Sequence, residues 1–292
     1  MIVTIPSKLN STTMHLILSN VITPDLLPID DEIIFDFSYL SFIEPVGVTI
    51  LGNLAQWLLK RNVRVTFRYP TQYPQAISYL DDSTFFQLYT GQKINQLATQ
   101  RSTTIPLQLV TYQDSYQWLD NKLVTWLASR LNLTRASLGD IKVCFQEIFN
   151  NINDHSKENI GCFFAQHYPN KNIVNIAISD FGIGIPSNVQ KVVPGMTDSL
   201  AIQKATEQGF STKSTPGNRG AGLDVLIRNV VKNNQGWVYI HSNHGILECK
   251  LGQNNDIVLE PRDISGFYPG TLFEIVLRTD TIEHLEEEEF EW

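Results

Sequence analysis

The chain has little of what marks several large protein classes. Its 292 residues include only three cysteines, Cys144, Cys162 and Cys249, odd in number, set in apolar contexts and without a Cys-x-x-Cys spacing. This excludes a disulfide framework, argues against a zinc site, and fits buried thiols in a reducing cytoplasm. Positive charge is also in deficit: 22 Lys and Arg stand against 30 Asp and Glu, a net charge of −8. Without a clustered basic face, neither a general nucleic-acid binder nor an anionic-membrane binder is expected. Long hydrophobic runs are missing too. The greasiest stretch, "VGVTILGNLAQWLLK", is interrupted and too short to cross a bilayer. The start, "MIVTIPSKLN", lacks the charged-then-apolar order of a signal peptide. The expectation is a soluble, cytoplasmic protein.

What is present divides into two parts. The first hundred residues read as a small α/β unit, with β-like runs at "TMHLILS" and "EIIFDFS" and a helix turning Leu51, Leu54, Leu58 and Leu59 toward a core. The strand "VRVTFRYP" follows. The polar stretch "TGQKINQLATQRSTT" then interrupts the apolar periodicity and places a boundary near residue 100. Beyond it, "IPLQLVTY" predicts a strand, "YQWLDNKLVTWLASRL" an amphipathic helix, and Ile141, Phe145, Ile148 and Ile152 the buried side of a second helix. Strands follow at "IGCFFAQHY" and "NIVNIAISD", the latter alternating Val174, Ile176 and Ile178 with Asn175 and Ser179. A long Gly-rich connection from Pro186 to Gly222 has the length of a lid over a site. It leads into the helix "LDVLIRNVVKN" and three strands, "GWVYIHSN", "GILECKLG" and "TLFEIVLR". The organisation expected is residues 1–100, residues 101–280, and a solvated acidic tail at 281–292.

The chemistry concentrates in the second part. In "FQEIFNNINDHSK", Glu147, Asn151 and His155 recur every fourth residue and form one polar stripe on a helix. For any one of them alone, a solvated helix face is the simpler account. The order of the elements that follow argues otherwise. In "DFGIGIP", Asp180 ends an apolar strand, and Gly182 and Gly184 let a flat ligand approach the backbone without meeting a Cβ. A fixed carboxylate there accepts a hydrogen bond from an exocyclic amine such as that of adenine. In "GNRGAGL", Gly217, Gly220 and Gly222 precede a helix, so backbone N–H groups converge on an anion, naturally a phosphate. Asn151 offers a neutral oxygen for Mg²⁺, and Glu147, one turn earlier, a base for an attacking hydroxyl or water. Other patterns are weaker. "DFG" lacks the further motifs of protein kinases, "GFSTKS" lacks the P-loop spacing, and His241 and His244 are expected on opposite strand faces rather than as a metal pair.

Taken together these residues resemble the GHKL ATPases, the gyrase, histidine-kinase and MutL group, over roughly Ser102 to Arg278. The stripe matches that family's N-box, "DFGIGIP" its adenine motif and "GNRGAGL" its second glycine box. "GFSTKST" resembles its ATP lid and "PGTLFEI" its last strand. The resemblance implies a two-layer α/β sandwich with a mixed sheet that binds ATP and Mg²⁺. Glu147 would be the general base, Asn151 the Mg²⁺ ligand and Asp180 the adenine reader. Gly182, Gly184, Gly220 and Gly222 would be the close-approach glycines. Thr271 would support Asp180 through water, with Lys213 and Arg219 contacting phosphate. The histidine-kinase branch is not expected, since His15 is the sole histidine before residue 130 and stands in a strand-like run. The topoisomerase and MutL branches add a later domain carrying a catalytic lysine, for which this chain is expected to be too short.

The N-terminal segment from "EIIFDFS" to "VTFRYP" is similar to the STAS domains of anti-sigma-factor antagonists, over most of residues 1–95. Pro45 and Val46 fill the places of that family's serines, so phosphorylation there is not expected, and Thr49 is the nearest hydroxyl. The combined expectation is a kinase of the anti-sigma-factor type, acting on Ser or Thr of a regulatory, sigma- or STAS-type partner protein. The N-terminal unit would serve docking or homodimer formation. The alternative is an ATP-gated interaction switch with slow or no hydrolysis.

Overall fold

The computed structural model describes residues 1–23, 25–155, 160–212 and 222–286, without the side chains of residues 112 and 151–160. Its first ninety residues form strands Ile2–Thr4 (β1) and Lys8–Leu9 (β2), helix His15–Val21 (α1), and strands Glu32–Asp36 (β3) and Phe42–Ile43 (β4). Helix Pro45–Leu59 (α2), strand Arg64–Arg68 (β5) and helices Gln75–Asp82 (α3) and Phe85–Thr90 (α4) complete them. A parallel sheet runs β1-β3-β5, and β2 pairs in parallel with β4. Parallel neighbours need crossovers, which the helices between them supply. The run "TMHLILS", expected as a strand, is helix α1. Ile17, Leu18 and Val21 are its buried residues, Met14 just before it is buried too, and their spacing of three, four and seven from Met14 is helical.

The remainder opens with strand Thr104–Thr111 (β6) and a continuous helical stretch, Tyr112–Trp118 (α5), a wide π-helical turn Leu119–Val124, and Thr125–Leu131 (α6). Helix Gly139–His155 (α7), strands Ile160–Tyr168 (β7) and Ile173–Asp180 (β8), and helices Gly184–Val192 (α8) and Asp198–Ala205 (α9) follow. The last elements are helix Gly222–Ile227 (α10), a second π turn Arg228–Asn233, and the long strands Trp237–Leu251 (β9) and Ile257–Arg278 (β10). The five-stranded sheet has the order β6-β7-β8-β10-β9. It is not the mixed sheet expected, because all its pairings are antiparallel. A single helix between β6 and β7 would return the chain parallel, but two helical passes, α5–α6 and α7, reverse it once more. Two further expectations change. The connection after Pro186 contains α8 and α9, and "GWVYIHSN" and "GILECKLG" are one continuous strand.

Both faces of this sheet are covered. On one face Phe163, Ile176, Ile178 and Phe273 pack with Phe145 and Ile148 of α7 and Leu226 of α10. On the other, Leu107, Phe164, Ala177 and Leu272 share a core with Phe35, Phe37, Leu51 and Leu54 of the first ninety residues. An alternating antiparallel strand commonly keeps one face in water. Here Asn175 and Ser179, the polar half of the β8 alternation, are buried as well. The helix between the layers is α2, the greasy run of the sequence, buried on nearly every side; Leu59 at its end is 41% exposed. A helix apolar all round belongs in an interior. Gly52 permits the contact: a Cβ there would lie 2.8 Å from Leu107 Cδ2 and 3.0 Å from Cys162 Sγ.

Candidate functional site

A row of polar side chains crosses three strands on the helical face of the sheet, level with the end of β8. Asp180 closes β8 in the same alternation as Ile176 and Ile178, so it points where they do. It pairs in register with Thr271 of β10, which pairs with Ser242 of β9. All three are buried. Ser242 ties the row together. Its hydroxyl donates to the Gly270 carbonyl at 2.5 Å, lies 3.2 Å from Thr271 Oγ1, and accepts from the Ile185 amide at 3.0 Å. The turn after Asp180 is thus fastened to the neighbouring strands where helix α8 begins.

Glycine is required in this turn and facing it on β10. Gly184 has φ +77° and Gly270 φ +111°, left-handed values that side chains disfavour. A Cβ on Gly270 would lie 2.3 Å from the Asp180 carbonyl and 2.5 Å from the Gly182 amide; one on Gly184 would lie 2.6 Å from Ser242 Oγ. The structure therefore gathers Asp180, Gly182, Gly184 and Thr271, four residues singled out in the sequence. It adds Ser242, which the sequence reading missed. A signal existed: Ser242 ends the buried alternation Val238, Ile240, much as Asp180 ends that of β8.

A second pairing brings Glu147 of α7 to the start of α10, where a Cβ on Gly222 would lie 2.7 Å from Glu147 Oε2. Glu147 is half-buried, while Phe145, Ile148 and Phe149 on the same helix are buried in the core. Asn150, its neighbour in sequence with Asn151, accepts a hydrogen bond from the Tyr116 hydroxyl at 3.1 Å. The backbone of Asn151 and His155 continues α7, and their side chains lie outside the described residues, as do Lys213, Arg219 and Gly220 altogether.

Behind the row, the first unit reaches the same strand end. The Asn53 amide of α2 donates to Ser179 Oγ at 2.9 Å, and Ser179 Oγ in turn bonds the Tyr268 hydroxyl. Phe181, first residue of the glycine turn, packs edge-on between Trp57 of α2, at 6.2 Å, and Tyr268, at 5.7 Å. Thr49 is fully buried and donates to the carbonyls of Pro45 and Ala177, so no modifying enzyme can reach its hydroxyl in the folded chain.

The remaining candidates fall away from this site. The three cysteines are free and buried, and burial pushes the thiols of Cys144 and Cys249 up to about 12. His241 is buried and His244 exposed; among the described residues no cluster of three or more His, Cys, Asp or Glu can hold a metal. His15 opens helix α1, not a strand. Among the described residues no helix is long and apolar enough to cross a membrane. No model of a known protein family matches the chain, and comparison with curated proteins finds no match either.

Proposed function

We propose that the chain is an ATP- and Mg²⁺-binding regulatory protein of the anti-sigma-kinase type, a GHKL-like sandwich with a STAS-like unit packed on its sheet. In this reading it works in the cytoplasm and phosphorylates Ser or Thr of a protein partner. One observation carries the reading: strand register sets the Asp180 carboxylate beside the hydroxyls of Thr271 and Ser242 where the glycine turn begins. A carboxylate beside two hydroxyls suits a heterocycle edge that carries a donor next to an acceptor. Glu147, half-buried against the head of α10, would take the proton of an incoming hydroxyl. Mg²⁺, held by Asn151, would neutralise charge on the transferring phosphate. Lys213, Arg219 and the amides at Gly220 would add the remaining phosphate contacts.

The test is calorimetric titration with a non-hydrolysable ATP analogue. Asp180→Asn is expected to weaken binding at least tenfold, about 1.4 kcal/mol or more, with the fold intact. Unchanged affinity would sink the nucleotide reading. Labelled ATP with partner candidates then separates transfer from hydrolysis: free phosphate with no labelled protein removes the kinase.

The second reading, an ATP-gated interaction switch, is favoured by the packing of Phe181 on Trp57. Through that contact, ordering of the glycine turn is felt by the N-terminal unit. Glu147→Ala discriminates the two, since a kinase loses turnover and keeps nucleotide affinity, whereas a switch keeps its partner response.

A further inference from the structure

Asn175 of β8 and Glu274 of β10 are buried on the face of the sheet that the N-terminal unit covers. Register places Glu274 opposite Ala177, whose carbonyl accepts from Thr49 of α2 at 3.4 Å, and Asn175 stands one diagonal step away. The Asn175 amide N–H donates to Glu274 Oε1 at 2.8 Å, while its own oxygen, Oδ1, is buried with no hydrogen-bond partner among the described residues. Buried polar atoms are nearly always satisfied. An ionised carboxylate has acceptors alone and cannot serve Oδ1. A protonated one has a single O–H, and giving it to Oδ1 closes a ring of two hydrogen bonds between acid and amide.

The surroundings favour that protonated form. Burial pushes the Glu274 carboxyl up to about 7, the Asn175 hydrogen bond opposes the shift, and the charge of Glu44, at the head of α2, adds to it. A carboxyl on the sheet thus faces a like charge on the N-terminal unit. The other titratable groups around it are phenols, Tyr168 of β7 and Tyr239 of β9, and burial keeps both uncharged far above neutrality. Arg262 and Glu248, which act on Tyr239 from the β9–β10 hairpin, are closed on each other at 2.5 Å. From α3, Tyr79 reaches the same layer and donates to Gln166, the register partner of Asn175, at 3.0 Å.

We propose that the Glu274–Asn175 pair is a proton-operated latch between the two layers: with its proton the pair closes on itself and the N-terminal unit stays docked, and without it a bare carboxylate beneath α2 loosens that unit. Docking raises the pKa of the carboxyl from 4.5, so docking is strongest below about pH 4.5 and weakens as pH rises toward 7. The full effect on the docking equilibrium is up to roughly 300-fold. The latch is independent of the nucleotide reading.

The experiment uses the full chain labelled with ¹³C-glutamate and follows the infrared band of a protonated carboxyl. The parent is expected to show the band at pH 6 and to lose it with a midpoint near 7, and Glu274→Gln is expected to lack it. Native-state hydrogen exchange of the α2 amides, corrected for its intrinsic pH dependence, then reads docking. Glutamine keeps both bonds to Asn175 and has no proton to lose. Opening of α2 in the parent relative to Glu274→Gln should therefore grow at least tenfold from pH 5 to pH 7, and the ratio cancels groups that titrate in both chains, His241 among them. Should Glu274→Gln fold poorly, Glu274→Met, equally without a proton to lose, takes its place in the ratio. Glu44→Gln, at a half-buried position, removes the charge that α2 sets against Glu274 and should move the infrared midpoint to lower pH. A parent without a protonated carboxyl at pH 6 overturns the proposal. So does an α2 ratio that stays constant with pH, or a midpoint that Glu44→Gln leaves unmoved.

Discussion

Glu274 is the residue whose chemistry is most altered by its surroundings. It lies on β10 beneath the N-terminal unit, 3% exposed, and accepts from the Asn175 amide at 2.8 Å. Burial pushes its carboxyl from 4.5 up to about 7; the Asn175 hydrogen bond opposes the shift and the Glu44 charge adds to it. The unfolded chain gives up this proton near pH 4.5 and the folded chain only near pH 7. Stability from this group therefore falls as pH rises through that window, by about 3 kcal/mol in all. His241 acts with the opposite sign. Its folded pKa is depressed to about 4 from 6.5, so stability is lost as pH falls through that range. Between about pH 4.5 and 6.5 the two slopes oppose each other. Urea unfolding of Glu274→Gln should show stability rising with pH there, with the parent nearly flat; a parent slope unaltered by the substitution contradicts the assignment. None of this was legible in the sequence, where Glu274 is one acid in an apolar strand. Its shift arises from a layer contributed by residues more than two hundred positions away.

At the scale of elements, α7 and β6 to β8 were legible because their periodicities are long and clean. Ile141, Phe145 and Ile148 are buried at helical spacing, and Val174, Ile176 and Ile178 at strand spacing. Helix α1 was misjudged because seven residues give too little periodicity to separate the two patterns by eye. The glycine turn was legible as a chemical motif, but Ser242 was not, because it joins Asp180 and Thr271 only through strand register. Helix α2 could be read as apolar but not as central. Its fit against the five-stranded sheet rests on Gly52, so Gly52→Val is expected to wedge the layers apart and cost about 1–3 kcal/mol, as overpacking does. Thiol titration gives an independent check. In the parent all three cysteines are buried and should resist a thiol reagent without denaturant. In the variant Cys162 should react, and a variant equally inert and equally stable would show that α2 is not held where described.

For the whole molecule, the consequence of a shared core is cooperativity. Apolar side chains of the first ninety residues and of the five-stranded sheet belong to one cluster, and the polar contacts Asn53–Ser179 and Tyr79–Gln166 cross the same boundary. Two units joined only by a linker would unfold separately. This chain is expected to give one calorimetric transition, with van't Hoff and calorimetric enthalpies in a ratio of about 1. Two resolved transitions would mean that the N-terminal unit is merely tethered. The same burial leaves the face of α2 carrying Thr49 occupied from within the chain.

The sequence by itself determined the α/β class, the main helical and strand segments of the second part, and which acids, amides and glycines stand at the ends of its strands and helices. These follow from local periodicity and from side-chain chemistry that needs no partner to be read. Only the tertiary structure decided that the five-stranded sheet is antiparallel, that both of its faces are buried, and that Ser242 stands with Asp180 and Thr271. It alone revealed that Glu274 is buried beneath the N-terminal unit. Strand order, register and layer packing join residues far apart in the chain, and pairings at that distance leave no periodic trace in the sequence of either partner.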